Sequence, residues 1–141
     1  MSSFNERPVA LITGGAKRVG AVIARTLHAA GYDLALHCRH SIREAETLAA
    51  ELSQQREASV LVLRADLVDT RRLPQLVDAT LTRYGRLDAL INNASAFYDT
   101  PIDTASIDQW NDLFASNAQA PFFLTQAALP ALRAAHGAIV N

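Results

Sequence analysis

The sequence predicts an α/β fold, in which helices cover both faces of a doubly wound parallel sheet of about five strands. Short aliphatic runs alternate along the 141 residues with longer segments in which apolar residues recur at helical spacing. Strands buried on both faces read as continuous apolar runs, and their alternation with helices implies parallel strands joined by right-handed crossovers. The length suits one compact domain over residues 1–141.

The expected strands are short and rich in aliphatic residues. They are Pro8–Thr13, Asp33–Cys38, Ser59–Ala65, Asp88–Asn92 and Gly137–Asn141. Because the last run ends at the final residue, we expect the N-terminal portion of a larger domain that is incomplete at its C-terminal end.

Helical spacing links the strands. Val19, Ile23 and Leu27 mark the first helix, and similar stripes run over 42–52 and 73–84. Gly31 and Gly85 follow the first and third helices, where left-handed C-caps are expected.

The fourth helical segment begins at Ser106, because Ser106 and Gln109 have the spacing of a capping box. It continues through Trp110 and Phe114, and Pro121 then predicts a kink or a restart.

Composition excludes several classes of protein. The formal net charge of -1 argues against nucleic-acid binding, and no apolar run is long enough to span a membrane. Cys38 is the only cysteine, residues 1–7 lack the apolar core of a signal peptide, and the four histidines show no metal-ligand spacing. We therefore expect a cytoplasmic protein without a metal site.

The glycine-rich stretch Thr13–Gly20 joins the first strand to the first helix. Such turns bring the backbone close to a pyrophosphate at the helix N-terminus. The glycines are Gly14, Gly15 and Gly20, so the common G-x-G-x-x-G spacing is absent. Lys17 and Arg18 occupy the first helical turn, where the helix dipole disfavours cations unless an anion lies nearby. The alternative is an ordinary turn followed by solvated basic residues.

The second strand ends in His37-Cys38-Arg39-His40-Ser41, with no acid before Glu44. At this place an acid binds the ribose of NAD, whereas a cation accommodates the 2′-phosphate of NADP. Arg39 therefore favours NADP over NAD. The alternative is a solvated loop in which Ser41 and Glu44 form a capping box for the next helix.

Polar residues also follow the third and fourth strands. Asp66 could accept a hydrogen bond from an adenine amino group or could simply form a turn. Asn92-Asn93-Ala94-Ser95 lies where ligands bind open parallel sheets, although two consecutive asparagines are also common in turns.

As a set, Thr13–Gly20, Asp66-Leu67, Asn92-Asn93-Ala94 and the helix with Asn117 resemble the short-chain dehydrogenase/reductase family. Its members have a Rossmann-type sheet. Arg18 replaces the family's usual second glycine. That change, the 37–41 stretch, and Asn93–Tyr98 followed by Thr100-Pro101 resemble the pteridine reductases in particular.

This resemblance implies NADPH as cofactor, a pterin or dihydropterin as substrate, and hydride transfer to a C=N bond. The implied cofactor residues are Gly14, Lys17, Arg18, Val19, His37, Arg39, His40, Ser41, Asp66, Leu67, Asn93, Ala94 and Ser95. Arg18, Ser95 and Phe97 would contact the pterin, and Asn117 would serve the catalytic proton relay. Without the resemblance, Phe97 would more often be a core residue, and Asn117 a polar residue inside a helix.

The family's proton-donating Tyr-x-x-x-Lys pair is absent from these residues. Lys17 is the only lysine, and Leu36, Asp88 and Ile102 stand four residues after the three tyrosines. We therefore expect the proton donor beyond Asn141. The alternatives are a short-chain reductase acting on a ketone, such as a 3-oxoacyl carrier protein, and a non-catalytic NADPH sensor. The resemblance also implies a homo-oligomer, a tetramer or dimer, built partly on the helix Ser106–Arg133.

Overall fold

The computed structural model describes residues 6–141. Most of the segment 1–7, which was expected to lack the apolar core of a signal peptide, therefore lies outside the described residues. The sheet is parallel throughout, with the strand order β3-β2-β1-β4-β5. Its strands are β1 (Val9–Ile12), β2 (Asp33–Cys38), β3 (Val60–Arg64), β4 (Ala89–Ile91) and β5 (Ala138–Val140). All five predicted strands are confirmed, with small differences at their ends.

Helices connect consecutive strands, as the apolar spacing predicts. Within residues 6–141 they are α1 (Arg18–Ala29), α2 (Ile42–Gln55), α3 (Leu73–Tyr84), α4 (Ile107–Phe114) and α5 (Ala120–Ala134). A 3₁₀ turn, Thr70–Arg72, precedes α3, and a π-helical turn, Ala115–Gln119, joins α4 to α5. Pro121 lies in the first turn of α5, and the helical backbone continues from α4 into α5, so the π-helical turn before Pro121 stands where a kink or a restart was expected.

The core has two layers, because alternate residues of each strand face opposite sides of the sheet. On one side Ile12 and Leu34 pack with Ala24 of α1 and Leu48 of α2. On the other side β-strand residues such as Leu11 and Leu90 pack with residues of α3 and α5. In contrast, β5 is exposed along its whole length.

The predicted helix ends are mostly confirmed. Gly85 caps α3 in the left-handed conformation, with φ 77°, and Gly31, one residue past the C-cap of α1, has φ 98°. Ser106 and Gln109 form the expected capping box. The capping box predicted at Ser41 is wrong: Ser41 is the N-cap of α2, but its side chain makes no capping hydrogen bond.

Two further observations concern membrane-spanning helices and metal sites. No helix in residues 6–141 combines the length and apolar content needed to cross a membrane. In the same residues no three His, Cys, Asp or Glu side chains lie together as a metal site would require.

Candidate functional site

The carboxyl ends of β1 to β4 meet at one edge of the sheet, and a cleft of about 490 Å³ opens there. Because β1 and β4 are neighbours although they are far apart in sequence, the turn after β1 faces the loop after β4. The residues lining the cleft are Gly14, Lys17, Arg18, Val19, Gly20, His37, Arg39, Asp66, Leu67, Val68, Asn93, Ala94, Ser95, Ala96 and Ser116.

The cleft brings together all the residues predicted to bind the cofactor except His40 and Ser41. His40 is exposed, and Ser41 is half-buried at the start of α2. Both follow Arg39 directly, so they stand beside the cleft rather than in its wall. Of the residues predicted for the substrate, Arg18 and Ser95 line the cleft and Phe97 does not.

Glycine is required at two points of the turn after β1. Gly14 has φ +60°, a conformation that other residues rarely adopt. A Cβ atom on Gly20 would lie 2.1 Å from the carbonyl oxygen of Gly14 and 2.7 Å from Nδ2 of Asn93. The start of α1 therefore touches the turn and the β4 loop so closely that only glycine fits.

Thr13 and Asn93 join this turn to the loop after β4. The Thr13 hydroxyl accepts hydrogen bonds from the amides of Asn93, at 3.1 Å, and of Ala94, at 3.0 Å. In return Nδ2 of Asn93 donates to the carbonyl oxygens of Thr13 and Gly14, both at 3.1 Å. The Asn93 side chain thus stabilises the wall of the cleft.

His37 joins the same turn to the end of β3. Its Nδ1 accepts from the Gly14 amide at 3.1 Å, and Nε2 lies 2.8 Å from the Ala65 carbonyl oxygen. Because a carbonyl can only accept, Nε2 carries the proton and Nδ1 does not. Burial lowers the pKa of His37, and the hydrogen bond to Ala65 opposes that effect only in part. The ring is therefore neutral.

The N-terminus of α1 faces the cleft without a side-chain cap. Lys17 is the N-cap residue and Arg18 the first helical residue, and both are exposed. A helix start with free amides and nearby cations is a ready site for a phosphate group. Arg18 also has φ 52°, in the left-handed region that favours glycine. Such strain costs on the order of 1 kcal/mol and is concentrated at functional sites.

Arg39 and Asp66 form an ion pair across the cleft, with 3.0 Å between Nη2 and Oδ2. The Arg39 carbonyl accepts from Nε of Arg64 at 3.1 Å. Asp66 also accepts from the amide of Val68 at 3.1 Å, which is the predicted turn role. Both partners are about half exposed, and pairs of that kind contribute only about 0–1 kcal/mol. An anionic ligand can therefore compete with Asp66 for the Arg39 guanidinium.

Asn117 lies in the π-helical turn and holds the loop after β4. Its Oδ1 accepts from the Ala96 amide at 2.9 Å, and its Nδ2 donates to the Ala96 carbonyl at 2.8 Å. It lines a second cleft, which shares Asn93, Ala94 and Ser95 with the first. Asn117 is exposed and lies in the helical segment just before Pro121, so the alternative of a polar residue inside a helix also agrees with the structure.

Phe97 is 87% exposed, so the alternative of a core residue is wrong. Its neighbours are both fixed: Asn117 holds Ala96, and the Tyr98 hydroxyl donates to Asp112 at 2.9 Å. The exposed ring directly follows Ala96 of the cleft wall, so it is accessible to a ligand.

Sequence reasoning missed Val68, Ala96 and Ser116 in the lining of the cleft. Val68 and Ala96 directly follow predicted residues, so a wider window would have included them. Ser116 comes from the π-helical turn. Its only signal was its position next to Asn117.

Comparisons with known proteins agree with this geometry. The model of the short chain dehydrogenase family matches residues 8–141. Pteridine reductase 1 of Leishmania tarentolae is 39% identical, over 90% of this chain and 55% of its own length. A putative ketoacyl reductase 2 of granaticin polyketide synthesis, from Streptomyces violaceoruber, is 34% identical over 96% of this chain and 54% of its own length.

A 3-oxoacyl-acyl-carrier-protein reductase of Staphylococcus aureus is 29% identical, over 94% of this chain and 54% of its own length. The chain thus spans about half the length of these curated relatives.

Proposed function

The chain belongs to the short-chain dehydrogenase family, and from that premise we propose that the whole protein is an NADPH-dependent pteridine reductase. In this proposal hydride passes from NADPH to a C=N bond of a pterin or dihydropterin. We assign the 141 residues to the nucleotide-binding part because the cleft lies among them, and they span about half the length of the relatives. The observation that carries the proposal is the cleft at the carboxyl edge, with Arg18 in its wall and Phe97 exposed beside it.

We assign the phosphate groups of the cofactor to residues at the start of α1 and just after the end of β2. The start of α1, with Lys17 and Arg18, suits the pyrophosphate, because free helix amides and two cations face it. Arg39 with His40 and Ser41 suits the 2′-phosphate. The planar guanidinium binds phosphate oxygens well, and the Ser41 hydroxyl is not used for capping α2.

The remaining cofactor residues follow the length of the cleft. Asp66 and Leu67 would contact the adenine, and Asn93 and Ala94 would flank the ribose and nicotinamide. Gly14 and Val19 would lie close to the phosphates. The strand order supports this assignment, because the residues follow β3, β1 and β4, which occur in that order across the sheet.

Three residues make a pterin the substrate that we propose. Phe97 offers a flat apolar face, on which a bicyclic heterocycle can stack. Ser95 and Arg18 offer hydrogen-bond partners for the polar edge of the ring. The 39% identity to a pteridine reductase supports the same substrate class.

The nicotinamide of NADPH, when bound, supplies the hydride. The protein has to orient the two rings, exclude water and deliver a proton. We propose that Asn117 belongs to the proton relay through its hold on the loop at Ala96. No tyrosine in the 141 residues is followed by lysine four positions later, so we assign the donor pair to the rest of the whole protein.

Two other functions have an observation in their favour. The 34% identity to a putative ketoacyl reductase favours reduction of a ketone. An NADPH-binding sensor without catalysis is the other candidate, because the proposed nucleotide site lies within these residues. Arg18 at the family's usual glycine and the exposed Phe97 favour the pterin instead.

An activity assay on the whole protein separates these functions. We expect NADPH oxidation with a dihydropterin or pterin, and none above background with a 3-oxoacyl thioester. Turnover of the thioester alone would establish the ketone reductase. NADPH binding without turnover of either substrate would establish the sensor.

We also propose a homo-oligomer, a dimer or tetramer, that uses the α4–α5 segment, and a cytoplasmic location. Apolar side chains exposed on that segment support an interface there, among them Ile107, Trp110, Phe114 and Phe122. The single buried Cys38 suits a reducing compartment. Sedimentation of the whole protein and cell fractionation test the two points.

A further inference from the structure

Two consecutive amides of the glycine-rich turn are bound by one residue, His37. The Gly14 amide donates to its ring Nδ1 at 3.1 Å, and the Gly15 amide donates to its carbonyl oxygen at 2.9 Å. The other ring nitrogen donates to Ala65, next to Asp66, at 2.8 Å. His37 is thus the bridge between the β1 turn and the β3 end of the cleft.

The ring has no hydrogen-bonding capacity left for a ligand. It is only 2% exposed, and both nitrogens are engaged with backbone groups of this chain. A neutral imidazole offers one donor and one acceptor, so both are used. A direct contact between the His37 ring nitrogens and the cofactor is therefore not what this geometry provides.

The bridge acts on the part of the turn that must keep its shape. Gly14 has φ +60°, and its carbonyl oxygen accepts from Asn93 while its amide donates to His37. The turn is consequently held from the β4 side by Asn93 and from the β2 side by His37. The amides at the start of α1 follow directly, and their direction depends on the turn.

We propose that His37 is a positioning residue of the nucleotide site. As a neutral ring with its proton on Nε2, it fixes the glycine-rich turn against the β3 end of the cleft and so aims the helix amides at the phosphate. The inference rests on the proposed NADPH site, and it is independent of whether the second substrate is a pterin.

The test is a titration of the whole protein with NADPH, comparing His37→Met, His37→Asn and His37→Gln. Met removes both hydrogen bonds of the ring, those to Gly14 and Ala65, and we expect the Kd for NADPH to rise about tenfold or more. Asn places an amide oxygen where Nδ1 stands, so it can still accept from Gly14 and should recover most of the affinity. Gln reaches only toward Ala65 and should recover little.

His28 provides the matched control. It is also 2% exposed, and its Nε2 is hydrogen-bonded to the Ser59 hydroxyl at 2.8 Å, away from the cleft. His28→Met should lower the thermal unfolding temperature and leave the Kd for NADPH unchanged. If His37→Met does not fold, the contrast between His37→Asn and His37→Gln decides alone.

The possible outcomes distinguish a failure of the proposed NADPH site from a failure of the positioning role of His37. A wild-type protein that fails to bind NADPH contradicts the proposed function. Wild-type binding together with His37→Met affinity equal to that of His28→Met overturns the positioning role. Equal losses in His37→Asn and His37→Gln also overturn it, because the bond to Gly14 would then make no difference.

Discussion

The charged side chains at the two edges of the sheet differ in their pairing and exposure. At the amino edge Arg56 pairs with Asp33 at 3.1 Å and also donates to the carbonyl oxygens of His28 and Tyr32. At the carboxyl edge Lys17 and Arg18 are exposed beside an open cleft. Arg56 and Asp33 at the amino edge are thus paired within the chain, whereas Lys17 and Arg18 at the carboxyl edge are exposed in the wall of the cleft.

Positive φ angles and close backbone contacts occur at both edges: at the amino edge Ala58 and His136 have φ 58° and 51°, and a Cβ on Gly137 would lie 2.4 Å from the Asp88 carbonyl oxygen. Close to the cleft, Arg18 has φ 52° and Gly20 permits a contact that a Cβ would block. At the amino edge Gly31 also has a positive φ, but nothing lies within 4 Å of where its Cβ would be. Because the Arg56–Asp33 pair is largely buried whereas Lys17 and Arg18 are exposed, we propose that the amino edge serves stability and the carboxyl edge serves binding, as expected for open parallel sheets. Substitutions at the two edges should therefore have separable effects.

The largest contrast is expected between two glycine-to-alanine changes. Gly20→Ala places a methyl group 2.1 Å from the Gly14 carbonyl oxygen, so the turn must shift, and NADPH binding should be lost. Gly31→Ala meets no neighbour and only strains a left-handed residue, at a cost of about 1 kcal/mol in unfolding free energy. NADPH titration and urea unfolding of both variants check this. Wild-type affinity in Gly20→Ala would show that the turn is not part of the site.

Arg56→Met should lower the stability and leave the NADPH affinity unchanged, because it alters the amino edge alone. The Asp33 side chain is 7% exposed, and loss of its ion pair with Arg56 should lower the unfolding free energy by about 1.5–3 kcal/mol. The Kd for NADPH should stay within error of the wild type at a temperature where the variant is folded. A selective loss of NADPH affinity, without loss of stability, would contradict the division between the edges.

Arg39→Asp should change binding and leave stability almost unaltered. It replaces the cation assigned to the 2′-phosphate, and hydrogen bonds to charged groups contribute about 1.5–3 kcal/mol. NADPH affinity should fall more than about tenfold, and the preference for NADPH over NADH should be erased or reversed. The ion pair with Asp66 is about half exposed, so its loss should scarcely affect unfolding. An unchanged preference would remove Arg39 from the site.

The smallest effect is expected at Phe97. Because its ring is 87% exposed, Phe97→Ala should not lower the unfolding free energy measurably. Stacking on a flat ring contributes about 1 kcal/mol, so the KM for the pterin should rise about fivefold with the Kd for NADPH unchanged. Equal weakening of pterin and NADPH would show that Phe97 supports the loop rather than the substrate.

The sequence predicts the strands and the position of the cleft because both signals are local. Apolar runs mark buried strands, and strand ends mark the edge where residues far apart in sequence meet. Arg18, Arg39 and Asp66 could thus be assigned to one place, and the structure brings them into the lining of one cleft.

Details that depend on tertiary distances could not be read from the same signals. The hydrogen bonds of His37 reach Gly14 and Ala65, 23 and 28 residues away. Nothing in a short window tells a histidine that binds a ligand from one that binds its own backbone. The capping box at Ser41 failed for a related reason, because the spacing of two residues does not fix their rotamers.

Amide hydrogen exchange of the whole protein, with and without NADPH, tests the division between the edges most directly. We expect slower exchange on NADPH addition in segments 13–20, 37–41 and 92–97, and unchanged exchange in 28–33 and 56–60. Protection of the amino-edge segments with no change in 13–20 would contradict the account, because the nucleotide would then bind at the edge assigned to stability.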